Sequence, residues 1–299
     1  MSKLTRRHFL RTSAATAAAL AGLPNAMVAE TQRPGRSATD WVTLGKSGLK
    51  VTRLGFGTGT NGGEVQRSLG QKEFTRLVRH AYERGIRFFD TSGNYDQMHE
   101  MLVKALEGVD RGTYAMQTKM EWPNDPNPWD DINRFRKELR TDYLDSFLLH
   151  AVSTGDWADK LKRQMDIISE AKQKQVIRAK GVSVHGLLPL RATSESGWAD
   201  VSLLRVNHNG LFMDNLVEKW AGQADVNECV TNIRKIHRSG SGVIGMKLIG
   251  NGDFTDPAQR DASIKFVMGL DCVDAVVIGF KSPAEVDEVI DSMNKHLSA

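Results

Sequence analysis

Along most of the chain, short apolar runs alternate with longer segments whose apolar residues recur every three or four positions. The runs at 53–57, 86–90, 114–119, 145–150, 177–184, 201–207, 242–247 and 275–280 have the length of strands. Most are rich in Val, Ile, Leu and Phe, as strands covered on both faces are. Between them, 71–84 places Phe74, Leu77, Val78, Ala81 and Tyr82 on one helical stripe, with Gly85 to stop it. Segments 129–140, 157–173, 226–238, 257–268 and 283–297 read the same way. Eight strands, each followed by a crossover, predict a parallel sheet closed into a (β/α)8 TIM barrel. A doubly wound open sheet is the competitor. Against it, the turn Gly55-Phe56-Gly57-Thr58-Gly59 lacks the GxGxxG spacing, and no helical pattern starts within it.

A barrel of this kind builds its active site at the carboxyl ends of the strands. The polar residues that close the runs are therefore expected to converge: Asp90, Lys119, His150, Ser183 with His185, Asn207 and Lys247. Tyr95 follows Asp90 by five positions. Each alone has an ordinary structural reading, as a cap, a rim charge, a satisfied core histidine or a packed aromatic. Together they point to chemistry, because charged groups closing apolar strands are costly unless paired.

Charge changes the picture at one end only. The 299 residues hold 40 Lys and Arg against 36 Asp and Glu, a formal +4. Residues 1–29 contain Lys3, Arg6, Arg7 and Arg11 and no acid, so removing them leaves 36 of each sign. The body therefore lacks the concentrated basic surplus that phosphate backbones require, and no nucleic-acid partner is expected. A charged start followed by the Ala-rich stretch from Ala14 has the layout of an export signal. Thr5-Arg6-Arg7-His8-Phe9-Leu10-Arg11 resembles the bacterial twin-arginine (Tat) signal. This divides the chain into a signal at 1–29, cleaved on export, a linker at 30–40 and one domain at 41–299. The Tat machinery is then a partner of the leader, and the destination is periplasmic or extracellular. No apolar run approaches the ~18–20 residues of a bilayer span, so no transmembrane anchor is expected. The two cysteines, Cys229 and Cys272, form no CxxC, and no His cluster has ligand spacing, so no metal is expected.

Longer motifs sharpen the chemistry. They are the opening Thr43-Leu44-Gly45-Lys46-Ser47-Gly48-Leu49-Lys50-Val51, then Gly85-Ile86-Arg87-Phe88-Phe89-Asp90-Thr91, Asn94-Tyr95, Gln117-Thr118-Lys119, and the run Leu139-Arg140-Thr141-Asp142-Tyr143-Leu144-Asp145-Ser146-Phe147-Leu148-Leu149-His150. With them, nearly all of 41–297 resembles the aldo-keto reductases. The resemblance puts the family's catalytic Asp, Tyr, Lys and His on Asp90, Tyr95, Lys119 and His150. It implies a small-molecule carbonyl or alcohol substrate and a nicotinamide nucleotide. The residue types suit that reaction: a phenol with pKa near 10 is a weak acid at neutral pH and needs a cation to stabilise its phenolate. Lys119 would supply that charge, Asp90 would hold it, and His150 would assist at the substrate oxygen.

The resemblance is looser at the cofactor. Ser183 precedes Val184 where the family has Ser-Asn for the carboxamide. A family Gln aligns with Arg205, with Asn207 one strand period later. The Tyr that stacks on nicotinamide aligns with Met246, and the next small polar residue with Lys247. The turn Ile278-Gly279-Phe280-Lys281-Ser282-Pro283-Ala284-Glu285 is similar to the family's nucleotide-phosphate turn, with Gly279, Lys281, Ser282 and Glu285 as contacts. Ser282 with Glu285 also reads as a capping box. Lys281 favours the 2′-phosphate of NADP(H), and Glu285, in place of an Arg, the free ribose of NAD(H). NADP(H) is placed first and NAD(H) kept open. The loop 120–129 offers Trp122 and Trp129 as a substrate wall, with His185 adding polarity and a second histidine, His99, near Tyr95. The leading reading is an exported, nicotinamide-dependent carbonyl reductase or alcohol dehydrogenase. The altered cofactor contacts leave a non-redox ligand- or partner-binding barrel as the alternative, and a Schiff-base lyase on Lys119 or Lys247 as a third.

Overall fold

In a computed structural model, which describes residues 36–121, 127–214 and 222–298, the apolar runs close into one parallel barrel. A hairpin comes first, with β1 (Trp41–Thr43) antiparallel to β2 (Lys50–Thr52). The barrel strands are β3 (Leu54–Gly57), β4 (Phe88–Asp90), β5 (Ala115–Lys119), β6 (Leu144–Val152), β7 (Ile177–Val184), β8 (Val201–Arg205), β9 (Gly242–Met246) and β10 (Ala275–Gly279). Their order around the barrel is β10-β3-β4-β5-β6-β7-β8-β9, so each lies beside its neighbour in sequence and the last returns to the first. This is the TIM barrel that the alternation of apolar runs predicts.

Side chains alternate across each strand, which fills two cores. Phe88, Ala115, Leu148, Ala179, Val201, Leu203, Ile244, Ala275 and Val277 pack inside the barrel, with Leu44, Leu49 and Val51 from the hairpin plugging its amino-terminal end. Residues of opposite parity, such as Phe89, Met116, Phe147, Val182 and Val243, pack outward against the helices. Gly55 faces inward, where a Cβ would come within 2.5 Å of the Phe88 ring. The ring fills the space that the missing side chain leaves.

The outer layer is made of α1 (Glu64–Arg67), α2 (Gly70–Glu83), α3 (Met98–Ala105), α4 (Pro128–Glu138), α5 (Trp157–Lys160), α6 (Lys162–Gln173), α7 (Leu187–Ser196), α8 (Val226–Ser239), α9 (Pro257–Met268) and α10 (Pro283–Leu297). Asp225, Asp256 and Ser282 cap α8, α9 and α10 by accepting from backbone N–H groups of the first turn. The predicted helix 157–173 is two helices. Leu161 leaves helical geometry at φ −103, ψ 19 and buries its side chain between them. Three further helices, the single-turn α1 together with α3 and α7, are not among those the sequence predicts. α3 is only eight residues long, and α7 carries Pro189 in its first turn, where proline is tolerated. The leader at 1–29 and Trp122 lie outside the described residues.

Candidate active site

Period-two alternation decides what reaches the open end of the barrel. Continuing the inward set by one more position gives Asp90 after Phe88, Lys119 after Gln117, His150 after Leu148, Ser183 after Gly181, Arg205 after Leu203, Met246 after Ile244 and Gly279 after Val277. Register staggers most of them by one strand period, since Asp90 pairs with Gln117, Lys119 with Leu148 and Ser183 with Leu203, while Arg205 pairs directly with Met246. A cavity of about 930 Å³ opens there. Asp90, Tyr95, His150, Ser183, His185, Arg205, Met246 and Lys247 line its inner part, and Gly279, Lys281, Glu285 and Glu288 its rim at α10.

On the β4–β6 side the groups are mutually satisfied. Lys119 Nζ donates to Asp90 Oδ1 at 2.8 Å, to Oδ2 at 2.9 Å and to the Thr91 carbonyl at 2.7 Å. Gln117 donates through Nε2 to Asp90 Oδ1 at 2.8 Å, and its Oε1 accepts from Ser146 Oγ at 3.1 Å. Burial works against the charged Lys119, but the Asp90 charge, Tyr95 and the hydrogen bonds more than offset it, and the ammonium lies above its usual value. Tyr95 sits over this pair, its ring centroid 5.1 Å from Lys119 Nζ and 5.7 Å from the His150 ring. Burial raises the phenol above 10 while the Lys119 charge pulls it down. The phenol lies flat on the chain after β3: a Cβ at Gly59 would be 2.6 Å from the hydroxyl. The Gly59 of the sequence motif thus serves Tyr95 and not a dinucleotide turn. His150 Nδ1 is held by Asn94 Oδ1 at 2.7 Å and Ser92 Oγ at 3.0 Å. Burial and the Lys119 charge push its imidazole down to about 3, so it is neutral at working pH. Just beyond it, Ala151 at φ 53 begins a bulge in β6 that turns the chain at the cavity wall.

The β7–β9 side is built differently. Ser183 is 1% exposed and its hydroxyl has no hydrogen-bond partner among the described residues. Arg205, 5% exposed, donates to the Phe212 carbonyl at 2.7 Å and to His185 Nδ1 at 2.8 Å. A guanidinium only donates, so His185 Nδ1 is the acceptor and its ring is neutral with the proton on Nε2. Burial and then the nearby cations hold His185 well below its usual value. Burial lowers Arg205 to about 10, with Asp214 acting the other way. Lys247 donates to Asn251 Oδ1 at 2.6 Å; burial, then Arg205 and Lys119, bring it down to about 8.

Three expected site residues take other roles. Asn207 does not face the cavity. It is fully buried, donates to the Leu211 and Lys247 carbonyls and accepts from the Asn209 and Gly210 N–H groups, so it ties the loop after β8 together. Arg205, the last residue of β8, holds the inward place instead. Trp129 lies in the first turn of α4 with Lys174, the residue that follows α6, 5.2 Å over its ring, away from the cavity. Ser282 accepts from Glu285 N at 3.3 Å and caps α10, while Glu285 accepts from the Lys281 N–H at 2.7 Å. His99 also points away, bridging Glu138 at 2.6 Å and Thr118 at 2.8 Å.

The aldo/keto reductase family model matches residues 53–266, from the first barrel strand into α9. The chain belongs to the aldo/keto reductase family. This family member is 26% identical over 160 residues to the aldo-keto reductase YhdN of Bacillus subtilis, covering 48% of the chain and 46% of that protein. It is 28% identical over 150 residues to L-galactose dehydrogenase of Arabidopsis thaliana, covering 47% of each. The matches span about half the length of these relatives. Among solved structures, the holo form of the aldo-keto reductase AKR11C1 of Bacillus halodurans aligns with a TM-score of 0.65 at 19% identity, covering 87% of this chain and 95% of that one. An aldo-keto reductase of Klebsiella pneumoniae in complex with NADPH aligns at 0.62 and 14% identity, covering 86% and 90%. At such identities the structures share the aldo/keto reductase fold.

Proposed function

We propose that the protein is an NAD(P)-dependent oxidoreductase interconverting a small carbonyl compound and its alcohol, with Tyr95 as the proton donor. The observation that carries this reading is the buried Asp90–Lys119 pair set beneath the Tyr95 ring at the inner end of the cavity. Reduction needs hydride at carbon and a proton at oxygen. A bound nicotinamide nucleotide would supply the hydride. Tyr95 supplies the proton, and the Lys119 ammonium lowers the cost of the phenolate left behind in a site where burial alone opposes it. Asp90 keeps Lys119 charged and aimed. His150, neutral and held at Nδ1, shapes the space beside the substrate oxygen.

The cavity suits a nicotinamide nucleotide. The unpartnered Ser183 hydroxyl offers a group for a carboxamide, and Met246 a polarizable surface for a ring. Lys247 and the turn at Gly279 to Lys281 offer contacts for phosphates. NADP(H) stays ahead of NAD(H) on the strength of Lys281, with Glu285 opposing it. His185 faces the same space and is a candidate substrate contact. Lys119 is a poor Schiff-base nucleophile, since the Asp90 charge, Tyr95 and their hydrogen bonds outweigh burial and keep it an ammonium with no lone pair. Tyr95→Phe is expected to lower carbonyl reduction by roughly 10²–10⁴-fold while nucleotide affinity changes little. Unchanged turnover would overturn the assignment of Tyr95. The altered β7–β9 contacts favour the second reading, a barrel that binds without redox chemistry; failure to bind any nicotinamide nucleotide in a titration would select it.

We also propose that residues 1–29 direct export through the Tat machinery, supported by the paired Arg6-Arg7 ahead of Phe9-Leu10 and the Ala-rich stretch. Changing both arginines to Lys should leave the protein inside the cell on fractionation. Unaltered export of that variant would refute this route.

A further inference from the structure

Lys247 is the charge at the inner cavity that the described residues leave least balanced. Asp90 gives both oxygens to Lys119, so that pair is neutral as a unit. Asp214 opposes the charge of Arg205. Lys247 has a neutral amide as its hydrogen-bond partner, and no carboxylate lies within ion-pair distance of it among the described residues. Nor is it a surface lysine that can swing away. Its backbone is in the left-handed region at φ 65, and its carbonyl accepts from Asn207 Nδ2 at 3.2 Å. Its ammonium is bonded to Asn251, which donates to Asn61 Oδ1 at 2.8 Å and so anchors the group across the cavity mouth. The preceding residue, Met246, is the last inward side chain of β9 and presents sulfur and methylenes, with no aromatic face to attract a cation.

We propose that Lys247 makes the cavity discriminate between oxidation states of its nucleotide, holding the reduced nicotinamide in preference to the oxidised one. This rests on the reading of the cavity as a nicotinamide-nucleotide site. The oxidised ring carries a positive charge and the reduced ring none, whereas the phosphates are the same in both. Attraction between Lys247 and the phosphates therefore cancels in the ratio of the two affinities, and repulsion of the ring remains. Burial and the neighbouring cations already draw the Lys247 ammonium down to about 8, the response of a charge crowded by others, yet it stays mostly protonated at pH 7. Two like unit charges about 5–10 Å apart in a partly desolvated site repel by an amount that corresponds to roughly tenfold in affinity or more. For a two-electron couple, tenfold raises the midpoint of the bound nucleotide by about 30 mV.

The test is equilibrium binding of NADPH, NADP⁺, NADH and NAD⁺ to the whole protein at pH 7 and fixed salt, by fluorescence and calorimetry. The reduced form should bind about tenfold tighter than the oxidised form of the same nucleotide. Lys247→Met should shrink that ratio at least threefold, Lys247→Gln should do the same, and Lys247→Arg should preserve it. Equal affinities in the wild type would overturn the proposal. So would a variant that weakens both forms by the same factor, which would make Lys247 a phosphate ligand alone. If no nucleotide binds the wild type at all, the cofactor reading itself fails, and this proposal with it.

Discussion

The β4–β6 and β7–β9 sides of the barrel mouth are made from the same alternation of side chains, yet they end in opposite conditions. On the first side every charge has its counterpart: Lys119 is spent on Asp90 and Thr91, Gln117 bridges Asp90 to Ser146, and His150 is held by Asn94 and Ser92. On the second, the Ser183 hydroxyl is orphaned, and Lys247 has only the neutral Asn251 amide as its hydrogen-bond partner. A self-satisfied cluster holds its geometry before anything binds, as proton transfer demands of a preorganised site. A side with unmet polar groups and surplus charge is completed by a ligand. Under the proposed function, the difference separates the part of the site that would perform the chemistry from the part that would choose the ligand.

The largest break in that contrast should come from Lys119→Met. It leaves the Asp90 carboxylate buried and uncompensated, which costs about 3–5 kcal/mol of stability. The second substitution Asp90→Asn should restore most of the stability lost to Lys119→Met but none of the turnover, as read by denaturant midpoints and carbonyl reduction. If Lys119→Met alone leaves the midpoint unchanged, the pair is not the preformed unit described here. Lys247 is expected to behave in the opposite way. Its substitution should cost little stability, because no buried carboxylate is left behind, and should register in nucleotide binding instead.

How far the sequence disclosed this contrast depends on whether a feature is local. The barrel was legible because apolar runs and amphipathic segments repeat along the chain. Asp90, Lys119 and His150 were legible because each closes an apolar run, where an unpaired polar group is costly. Asn207 was misassigned for a local reason. β8 ends two residues earlier than its apolar run suggests, so Arg205 takes the inward place and Asn207 folds into the loop. The inward parity of Val201 and Leu203 fits Arg205 and Asn207 alike, and only the end of the strand at Arg205 separates them. Trp129 was misassigned because a tryptophan in the first turn of a helix can face either way, and it is Lys174, 45 positions on, that draws it outward. The fit of Tyr95 on Gly59, the bridge from Asn251 to Asn61 and the orphaned Ser183 hydroxyl arise only on closure of the barrel. No window of sequence contains them.

The smallest effect separates the two buried histidines at the meeting of the sides, whose rings lie 6.4 Å apart. His150 titrates near 3 in the folded protein, pushed there by burial and Lys119, against about 6.5 in the unfolded chain. Between those values the unfolded chain binds the extra proton, so stability is full above about 6.5 and declines as pH falls. From pH 6.5 to 5 this amounts to about 2 kcal/mol, at 1.36 kcal/mol for each unit. His185 is also held well below its usual value, and its burial should act in the same direction. Denaturant midpoints at the two pH values in the wild type and in His150→Asn cancel the other titrating groups. The variant should lose about 2 kcal/mol less on acidification, whatever its stability at pH 7. An unaltered acid response would mean that His150 takes up its proton in the folded state, with the Lys119 charge no longer felt across the cavity.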